Sequence, residues 1–461
     1  MAHDSRRAPE EPPSTDSRHA PEAVPSADPD ATYDHRGGAE SGDLVDALDA
    51  RVDGDVRFDT FTRELYATDA SVYERLPVGV VFPRSTHDVA AVVAYCAERG
   101  VPVLPRGGGT SLAGQAVNEA VVLDCKRYMD DLLAVDPDAG VARAQPGITL
   151  ARLNEHLAPH GLKYAPDPAW GDKSVLGGCI GNNSTGAHSL KYEKADGYVE
   201  SVEAVLADGT VTTFGWVDVD DLDDLAAGAR NDGGAAGSDG GAAGIDGGER
   251  KGDGPDLEAR IYAEVARILD EEADEIDERF PDLTRNVSGY NLDRLLADAR
   301  ERGEVNVGRL LAGSEGTLAV VTEAEVSLEP VPDATAVVML TYDGVMPAMR
   351  DVAPILEHDP SAVEVMDDVF LELARDTAEF ADLVDDLPAG TDSTLLVEFY
   401  GDSPADAERK VADLLADRLP DYDPEGTPTR ANGGAVAGED DDGAAGDDDG
   451  AAGDDGAAGD D

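Results

Sequence analysis

Two glycine-rich stretches of the sequence are of the kind that brings a backbone close to a ligand. The first, PRGGGTSLAGQAV from Pro105 to Val117, has three consecutive glycines, which let successive backbone N–H groups converge on an anion. The hydroxyls of Thr110 and Ser111 add donors, and Arg106 adds positive charge. A P-loop would need a Lys after these glycines, and the dinucleotide fingerprint would need a Gly where Leu112 stands. The stretch therefore predicts an anion site of another kind, with a flexible surface turn as the alternative.

A second glycine cluster, GGCIGNNSTG from Gly177 to Gly186, favours a ligand over a surface turn. It follows a turn at Pro166 to Pro168, and two small-residue loops suggest two close approaches of the backbone to one extended ligand. The Asn and Ser residues at 182–184 bring hydrogen-bonding groups suited to a neutral polar ring system or a pyrophosphate. A third cluster, GSEGTLAVVTEAEV from Gly313 to Val326, repeats the small-residue pattern before a predicted strand.

Short strands and helices must position these clusters. Ser85 and Asp88 have the spacing of a capping box and predict a helix that ends at Gly100. A second helix is predicted at 149–161, and a hairpin around Asp208-Gly209. Apolar runs predict further strands at 79–83, 101–105, 120–125 and 140–147.

Beyond Pro332 the pattern changes to strand, helix, strand, strand, helix, which is typical of a ferredoxin-like split unit whose last strand is expected where the low-complexity tail begins. The fold class is predicted as α+β, because the strict βαβ alternation of a doubly wound sheet is missing. The predicted organisation is a disordered segment at 1–40, a first domain at 41–332 with a low-complexity insertion near 226–254, a second domain at 333–430 and a disordered acidic tail at 431–461.

The charge balance excludes several classes of partner. The 461 residues include 36 Lys and Arg against 98 Asp and Glu, a formal net charge of −62. Nucleic acid and anionic membrane surfaces are therefore not expected as partners. The composition resembles that of cytoplasmic proteins of salt-accumulating archaea, in which surface carboxylates hold water and cations, and it predicts stability that depends on salt.

The three cysteines, Cys96, Cys125 and Cys179, lie far apart in the sequence, so no metal site, iron–sulfur cluster or disulfide framework is predicted. The N-terminus has charges and prolines where a signal peptide needs an apolar run, and no stretch is long enough to span a bilayer. We expect a cytoplasmic protein in high salt, with attachment to a membrane through a partner as the alternative.

Five segments, taken in chain order, resemble the FAD-linked oxidases of the vanillyl-alcohol-oxidase superfamily: PRGGGTSLAGQAV, PDPAW, GGCIGNNSTGAHSLKY, VEAVLADGTV and LLAGSEGTLAVVTEAEVSLEP. They are most similar to the branch that holds D-lactate dehydrogenase, the glycolate oxidase flavin subunit and D-2-hydroxyglutarate dehydrogenase. The resemblance implies a two-subdomain PCMH-type FAD-binding fold followed by a partial ferredoxin-like C-terminal domain. It also implies non-covalent FAD, since the first loop lacks the His through which some branches attach the flavin.

The resemblance further implies which residues hold FAD. The first loop would hold the pyrophosphate, the second cluster and its preceding turn the isoalloxazine and ribityl portions, and Val199 the adenosine side. Glu193 stands where the family usually has Gly. The implied contacts are Pro105, Arg106, Gly107, Gly108, Gly109, Thr110, Ser111, Gln115, Pro166, Asp167, Gly177, Gly178, Gly181, Asn182, Asn183, Ser184, Gly186, Val199, Glu315 and Gly316.

Oxidation of a 2-hydroxy acid by flavin needs a group that holds the substrate carboxylate, preferably a bidentate Arg. The segment RNVSGYNLDRLL resembles the family segment near the substrate, which makes Arg285 the candidate clamp and Tyr290 its neighbour. A surface ion pair is the alternative role for Arg285. His188 is a third catalytic candidate, with a structural role as its alternative, and the catalytic base stays unassigned.

Relatives in this branch carry, beyond the ferredoxin-like unit, a His-x-Gly-Asp-Gly-Asn-type stretch that this sequence lacks. One interpretation is a dehydrogenase for D-lactate, ahead of glycolate and D-2-hydroxyglutarate, that passes electrons to an iron–sulfur protein or the quinone pool. The alternative is an FAD-holding subunit or truncated fragment that works only with an iron–sulfur partner. Enolpyruvyl reduction on the same scaffold is a third interpretation, which the segment from Arg285 to Leu296 disfavours.

Overall fold

A computed structural model of the chain describes residues 42–227, 257–283, 285–419 and 435–438. The predicted N-terminal disordered segment lies outside these residues, as do nearly all of the predicted insertion and the tail after residue 438. Among the described residues, no helix combines the length and the apolar character that crossing a membrane requires.

The first lobe is built on a four-stranded sheet in which β2 and β3 run parallel to β4 and β1 runs antiparallel to β2. Helix α3 begins where the Ser85 hydroxyl accepts the Asp88 N–H at 3.3 Å, and its apolar face, including Val92 and Cys96, is buried. The predicted helix and strands of this lobe are therefore confirmed. Its elements are α1 (Gly42–Asp49), β1 (Asp55–Arg57), α2 (Thr60–Leu65), β2 (Gly79–Phe82), α3 (Thr86–Ala97), β3 (Val103–Arg106) and β4 (Val121–Asp124).

The second lobe follows, and its elements are β5 (Leu132–Asp136), β6 (Val141–Ala144), α4 (Leu150–Leu157), β7 (Leu162–Lys163), α5 (Leu176–Gly181), α6 (Ser189–Tyr192), β8 (Val199–Val205), β9 (Val211–Phe214), β10 (Trp216–Asp218), α7 (Leu222–Ala226), α8 (Leu257–Glu271), α9 (Ala273–Arg279), α10 (Leu292–Arg302), β11 (Glu304–Asn306), β12 (Val320–Ser327) and β13 (Glu329–Pro330). Its main sheet is antiparallel, in the order β5-β6-β12-β8-β9, so the late strand β12 sits at the centre. Every second residue of β12 is buried, as the alternation of a strand on a core requires. The predicted hairpin at Asp208-Gly209 is confirmed as β8–β9.

The C-terminal domain is an antiparallel sheet in the order β15-β16-β14-β17, with helices α11 and α14 packed against it. This order is that of the predicted ferredoxin-like unit, and its last strand, β17, lies within the segment for which a disordered tail was predicted. Helices and mostly antiparallel sheets confirm the α+β class. The elements are β14 (Ala334–Tyr342), α11 (Val345–Leu356), β15 (Ala362–Met366), α12 (Asp368–Arg375), α13 (Ala381–Asp385), β16 (Ser393–Gly401), α14 (Pro404–Arg418) and β17 (Ala435–Gly438).

Candidate functional site

A cavity of about 510 Å³ lies where the three glycine-rich clusters meet. Its size falls in the range of small-molecule and cofactor sites. Most of the residues predicted to contact a cofactor line it, namely Pro105, Arg106, Gly107, Gly108, Gly109, Thr110, Ser111, Gln115, Gly177, Gly178, Gly181, Asn182, Ser184, Glu315 and Gly316.

The first glycine loop leaves the carboxyl end of β3 and packs on the segment that precedes α5. A Cβ at Gly107 would lie 2.2 Å from Val175 Cγ2, and one at Gly108 would lie 2.1 Å from the carbonyl oxygen of Lys173. Both positions therefore exclude any side chain. The Thr110 and Ser174 hydroxyls, 3.1 Å apart, tie the loop to the same segment.

The Arg106 side chain organises the loop itself. Its guanidinium donates to the carbonyl oxygens of Ala116 and Thr68, both at 2.8 Å, and to that of Tyr66 at 3.2 Å. These donors therefore tie the loop to itself at Ala116 and to the preceding segment at Tyr66 and Thr68, and the contact of Arg106 with a bound anion stays a prediction.

The second and third clusters are joined by backbone hydrogen bonds. The Glu315 N–H donates to the Gly181 carbonyl oxygen at 2.8 Å, and the Gly313 N–H donates to that of Ile180 at 3.0 Å. A Cβ at Gly316 would lie 2.4 Å from Pro105 Cγ, so the third cluster also packs closely on the first. The three clusters thus form one continuous wall.

Two glycines leave open space on the cavity side of this wall. A Cβ at Gly181 would meet no atom within 4 Å, and one at Gly178 would lie 3.6 Å from its nearest neighbour, Val175 Cγ2. Both residues line the cavity. The missing side chains therefore leave room for a ligand against the backbone, and this is the feature that an extended cofactor needs.

Five of the predicted contacts do not line the cavity: Pro166, Asp167, Asn183, Gly186 and Val199. Asn183 is buried and holds the backbone together, because its Oδ1 accepts the Asp196 N–H at 2.9 Å. Val199 begins β8 in the core, where its carbonyl oxygen accepts from Asn306 Nδ2 at 2.9 Å. The sequence pattern identified the right segments but could not say which residues turn inward.

Other lining residues were missed, among them Pro146, Trp170, Ser174 and Ser314. Trp170 stands at the rim with half of its surface exposed, and Lys173 Nζ lies 5.0 Å from its ring centroid. Trp170 belongs to the PDPAW motif. A polarisable aromatic side chain close to a glycine cluster was therefore a signal from which its place at the cavity could have been predicted.

The segment of Arg285 and Tyr290 is hydrogen-bonded to α6 and to the third cluster. Arg285 Nη1 donates to Ser189 Oγ at 2.5 Å, and the Tyr290 and Thr317 hydroxyls are 3.0 Å apart. Arg285 is exposed, and no carboxylate of the described residues lies within ion-pair distance of it. The alternative of a surface ion pair is therefore not observed in the part of the chain that the structure describes.

His188 lies behind the cavity wall. Its Nδ1 contacts Asp167 Oδ2, and its Nε2 lies 2.8 Å from Glu398 Oε1. The hydrogen bonds to Asp167 and then Glu398 raise the pKa of His188 to about 9. A protonated ring with both nitrogens engaged has no lone pair for a substrate proton, so the geometry favours the structural alternative.

The thiols near the cavity are not reactive groups. Burial raises the pKa of Cys179 to about 11 and that of Cys125 to about 12, so both stay protonated at neutral pH. All three cysteines are buried and free. Within the described ranges, no group of three or more His, Cys, Asp and Glu side chains is placed to hold a metal ion.

Two family models match the chain: an FAD binding domain over residues 77–215 and a C-terminal domain of FAD-linked oxidases over residues 331–427. The chain carries both domains of the FAD-linked oxidases. Its cofactor is accordingly FAD, and the first two lobes form the PCMH-type fold that binds it. The open faces of Gly178 and Gly181 and the close-packed loops suit this extended cofactor.

The FAD-linked oxidase domains resemble those of known proteins. A D-2-hydroxyglutarate dehydrogenase of Pseudomonas putida is 31% identical over 78% of this chain and 33% of its own length. A D-lactate dehydrogenase of Archaeoglobus fulgidus is 39% identical over 30% of each chain. The chain thus spans about a third of the length of each of these two relatives. A solved alkyldihydroxyacetonephosphate synthase shares the fold, with a TM-score of 0.51, 17% identity and coverage of 83% of this chain and 57% of its own.

Proposed function

We propose that the chain acts as an FAD-dependent oxidoreductase that oxidises a 2-hydroxy acid. D-2-hydroxyglutarate and D-lactate, which appear in the names of two relatives, are the first candidate substrates, and glycolate is the third. The observation that carries the proposal is Arg285, which does not line the cavity but is exposed, donates to Ser189 Oγ and has no carboxylate of the described chain within ion-pair distance. In a chain with a net charge of −62, such a cation is suited to a small carboxylate.

The bound flavin would supply the acceptor for the hydride from C2 of the acid. The chain's own residues would orient the acid. The Arg285 guanidinium would hold the carboxylate, and its hydrogen bond to Ser189 Oγ would fix its direction. Tyr290, hydrogen-bonded to Thr317 of the third cluster, would limit the access of water to the acid.

The second candidate function is that of an FAD-holding subunit that turns over only together with an iron–sulfur or quinone-linked partner. It is supported by the share of the relatives that the chain matches, about a third of their length. The two candidates differ in one property that can be measured directly, which is whether the FAD-loaded chain alone accepts a hydride.

The test uses the chain purified in molar KCl and loaded with FAD, without oxygen. Each acid is added in turn, with its L-enantiomer as the control where one exists, and the visible spectrum is recorded. Bleaching by a D-acid or by glycolate supports the dehydrogenase. A yellow protein that no acid bleaches contradicts it and supports the partner-dependent subunit.

A substitution of Arg285 tests its proposed role as the clamp of the substrate carboxylate. Arg285→Gln should raise the KM for the acid at least about tenfold and leave FAD affinity unchanged, because the variant removes one charge-assisted contact to the substrate. Arg279→Gln is the matched control, since Arg279 is an exposed residue paired with Glu275 on α9. Equal effects of the two variants, or a KM that does not change, would exclude Arg285 as the clamp.

A further inference from the structure

The strongest unassigned feature is the ion triad Asp167–His188–Glu398, which crosses the boundary between the FAD-binding and C-terminal domains. His188 Nδ1 contacts Asp167 and His188 Nε2 lies 2.8 Å from Glu398 Oε1. Only 19% of the His188 side chain is exposed. A protonated, partly buried His between two carboxylates makes two charge-assisted hydrogen bonds, which are stronger than neutral ones.

On one side, the triad holds two segments of the cavity wall. Asp167 directly precedes the lining residues 168–170, and His188 follows the lining residue Ser184 by four positions. The two segments touch at Gly186, where a Cβ would lie 2.2 Å from the Asp167 carbonyl oxygen. The Asp167–His188 contact therefore fixes the distance between two parts of the FAD site that are apart in the chain.

On the other side, the triad is anchored in the centre of the C-terminal domain. Glu398 lies on β16, which pairs with β14 and β15. Its Oε1 also accepts from Ser361 Oγ at 3.0 Å, and the Tyr400 ring stacks on His188 with centroids 5.4 Å apart. The carboxylate that faces His188 is thus held rigidly by its own domain.

Other charged and titratable groups surround the triad. Lys163 on β7 lies 4.5 Å from the Tyr192 ring centroid and 5.5 Å from that of Tyr400, and Lys191 on α6 lies 5.0 Å from the Tyr400 centroid. Glu329 on β13 adds negative charge near Lys163. Burial lowers the pKa of Lys163, so both Lys163 and His188 can lose protons in alkaline solution. A pH experiment must therefore separate the two.

We propose that His188 is a positioning residue that couples docking of the C-terminal domain to the shape of the FAD cavity. Glu398 then acts on FAD through His188 and Asp167, although it does not line the cavity. The inference needs only the FAD site and does not depend on the proposed reaction, so a failure of one leaves the other standing.

The first test measures the Kd for FAD by titrating the apoprotein in molar KCl at pH 7. Both Glu398→Gln and His188→Gln should weaken FAD binding about tenfold, because each removes one charge-assisted hydrogen bond of the triad. Glu364→Gln on the neighbouring strand β15 is the matched control, since Glu364 is exposed, and its Kd should stay within about twofold of wild type.

The second test is the pH profile of the Kd. In wild type the affinity should fall as His188 deprotonates around pH 9, and His188→Gln should lack this part of the fall. Lys163 is present in both proteins, so its titration cannot produce the difference. A purely structural role for His188 would lower affinity without changing the profile.

The third test needs no FAD. Calorimetry of the apoprotein at pH 7 should show one unfolding transition in wild type and in Glu364→Gln, and two in His188→Gln and Glu398→Gln. The proposal is overturned if both triad variants bind FAD as wild type does, if the control weakens equally, or if His188→Gln keeps the wild-type pH profile.

Discussion

Gly181 lines the cavity, and the space that a Cβ would occupy at this residue is open. Several other glycines of the clusters are needed because their neighbours are close; Gly107 and Gly108 are examples. Gly181 differs, since nothing lies within 4 Å of the missing Cβ and the backbone is otherwise ordinary helix. Its role can therefore be tested without disturbing the packing of the protein.

We expect Gly181→Val to reduce FAD affinity at least about tenfold while the apoprotein unfolds at nearly the wild-type temperature. The Cβ of this valine would meet no atom within 4 Å, and its two methyl groups would take up space beside the backbone that lines the cavity. FAD titration and thermal unfolding of the apoprotein measure the two quantities. Gly197→Val is the matched control, because Gly197 is also in a helical turn with open space but does not line the cavity. Equal loss of affinity in both variants would refute this role.

At the scale of single elements, the end of α6 carries backbone strain. Glu193 has φ 54° and ψ −120°, a conformation that glycine adopts and other residues avoid. The family usually has Gly at this position, so the sequence departs from the family where the backbone most needs glycine. The strain is stored beside His188, on the same short helix that follows the second cluster.

Glu193→Gly should therefore stabilise the protein by about 1 kcal/mol, since relief of strain exceeds the entropy that glycine adds to the unfolded chain. Glu193→Gln removes the same charge but keeps the strain, and it should leave the free energy of unfolding unchanged. Thermal unfolding in molar KCl compares the three proteins. A Gln variant as stable as the Gly variant would assign the effect to charge instead.

The helices and strands could be predicted from the sequence where neighbouring residues determine them. The helix after Ser85, the hairpin at Asp208-Gly209 and the succession of strands and helices after Pro332 all follow from apolar patterns and turn residues within a few positions. The meeting of the three glycine clusters was also predictable, because small residues in a folded chain mark close approaches. The direction in which a side chain points was not predictable. Arg106 is an example, because its guanidinium donates to the backbone carbonyl oxygen of Ala116.

The triad could not be predicted from the sequence for the same reason. His188 and Glu398 are 210 positions apart, and each has an ordinary local context, a loop His and an alternating strand residue. Only the docking of two domains brings them together. The single-residue alternatives for His188 could therefore be stated from the sequence but not decided.

At the scale of the whole molecule, pH should act on stability through His188. Its folded pKa of about 9 exceeds the unfolded value of about 6.5, so the folded state holds the proton more tightly. The stabilisation is complete below pH 6.5, declines as the pH rises above it, and is lost beyond pH 9. The difference in Tm between wild type and His188→Gln should follow this course and vanish near pH 10. A difference that is constant from pH 6 to 10 would contradict it.

Salt should raise the stability of the protein because it screens the repulsion that comes with a net charge of −62. Ion pairs such as that of Arg267 with Glu264 lose strength in salt, but the excess of carboxylates repels over longer distances, and 1 M salt shortens the screening length to about 3 Å. Tm should therefore rise by several degrees from dilute buffer to molar KCl. Sucrose at equal osmolality serves as the control for water activity. A flat Tm in KCl would contradict the prediction.

The central place of β12 has a consequence for synthesis of the protein on the ribosome. β12 fills the gap between β6 and β8, and the third cluster runs into it, with Gly313 and Gly316 just before the strand. A nascent chain that has emerged only to about residue 300 holds the first two clusters but lacks the strand that joins the halves of the sheet. We therefore expect FAD to be captured only after β12 has emerged, and until then the inner edges of β6 and β8 stay without their partner strand.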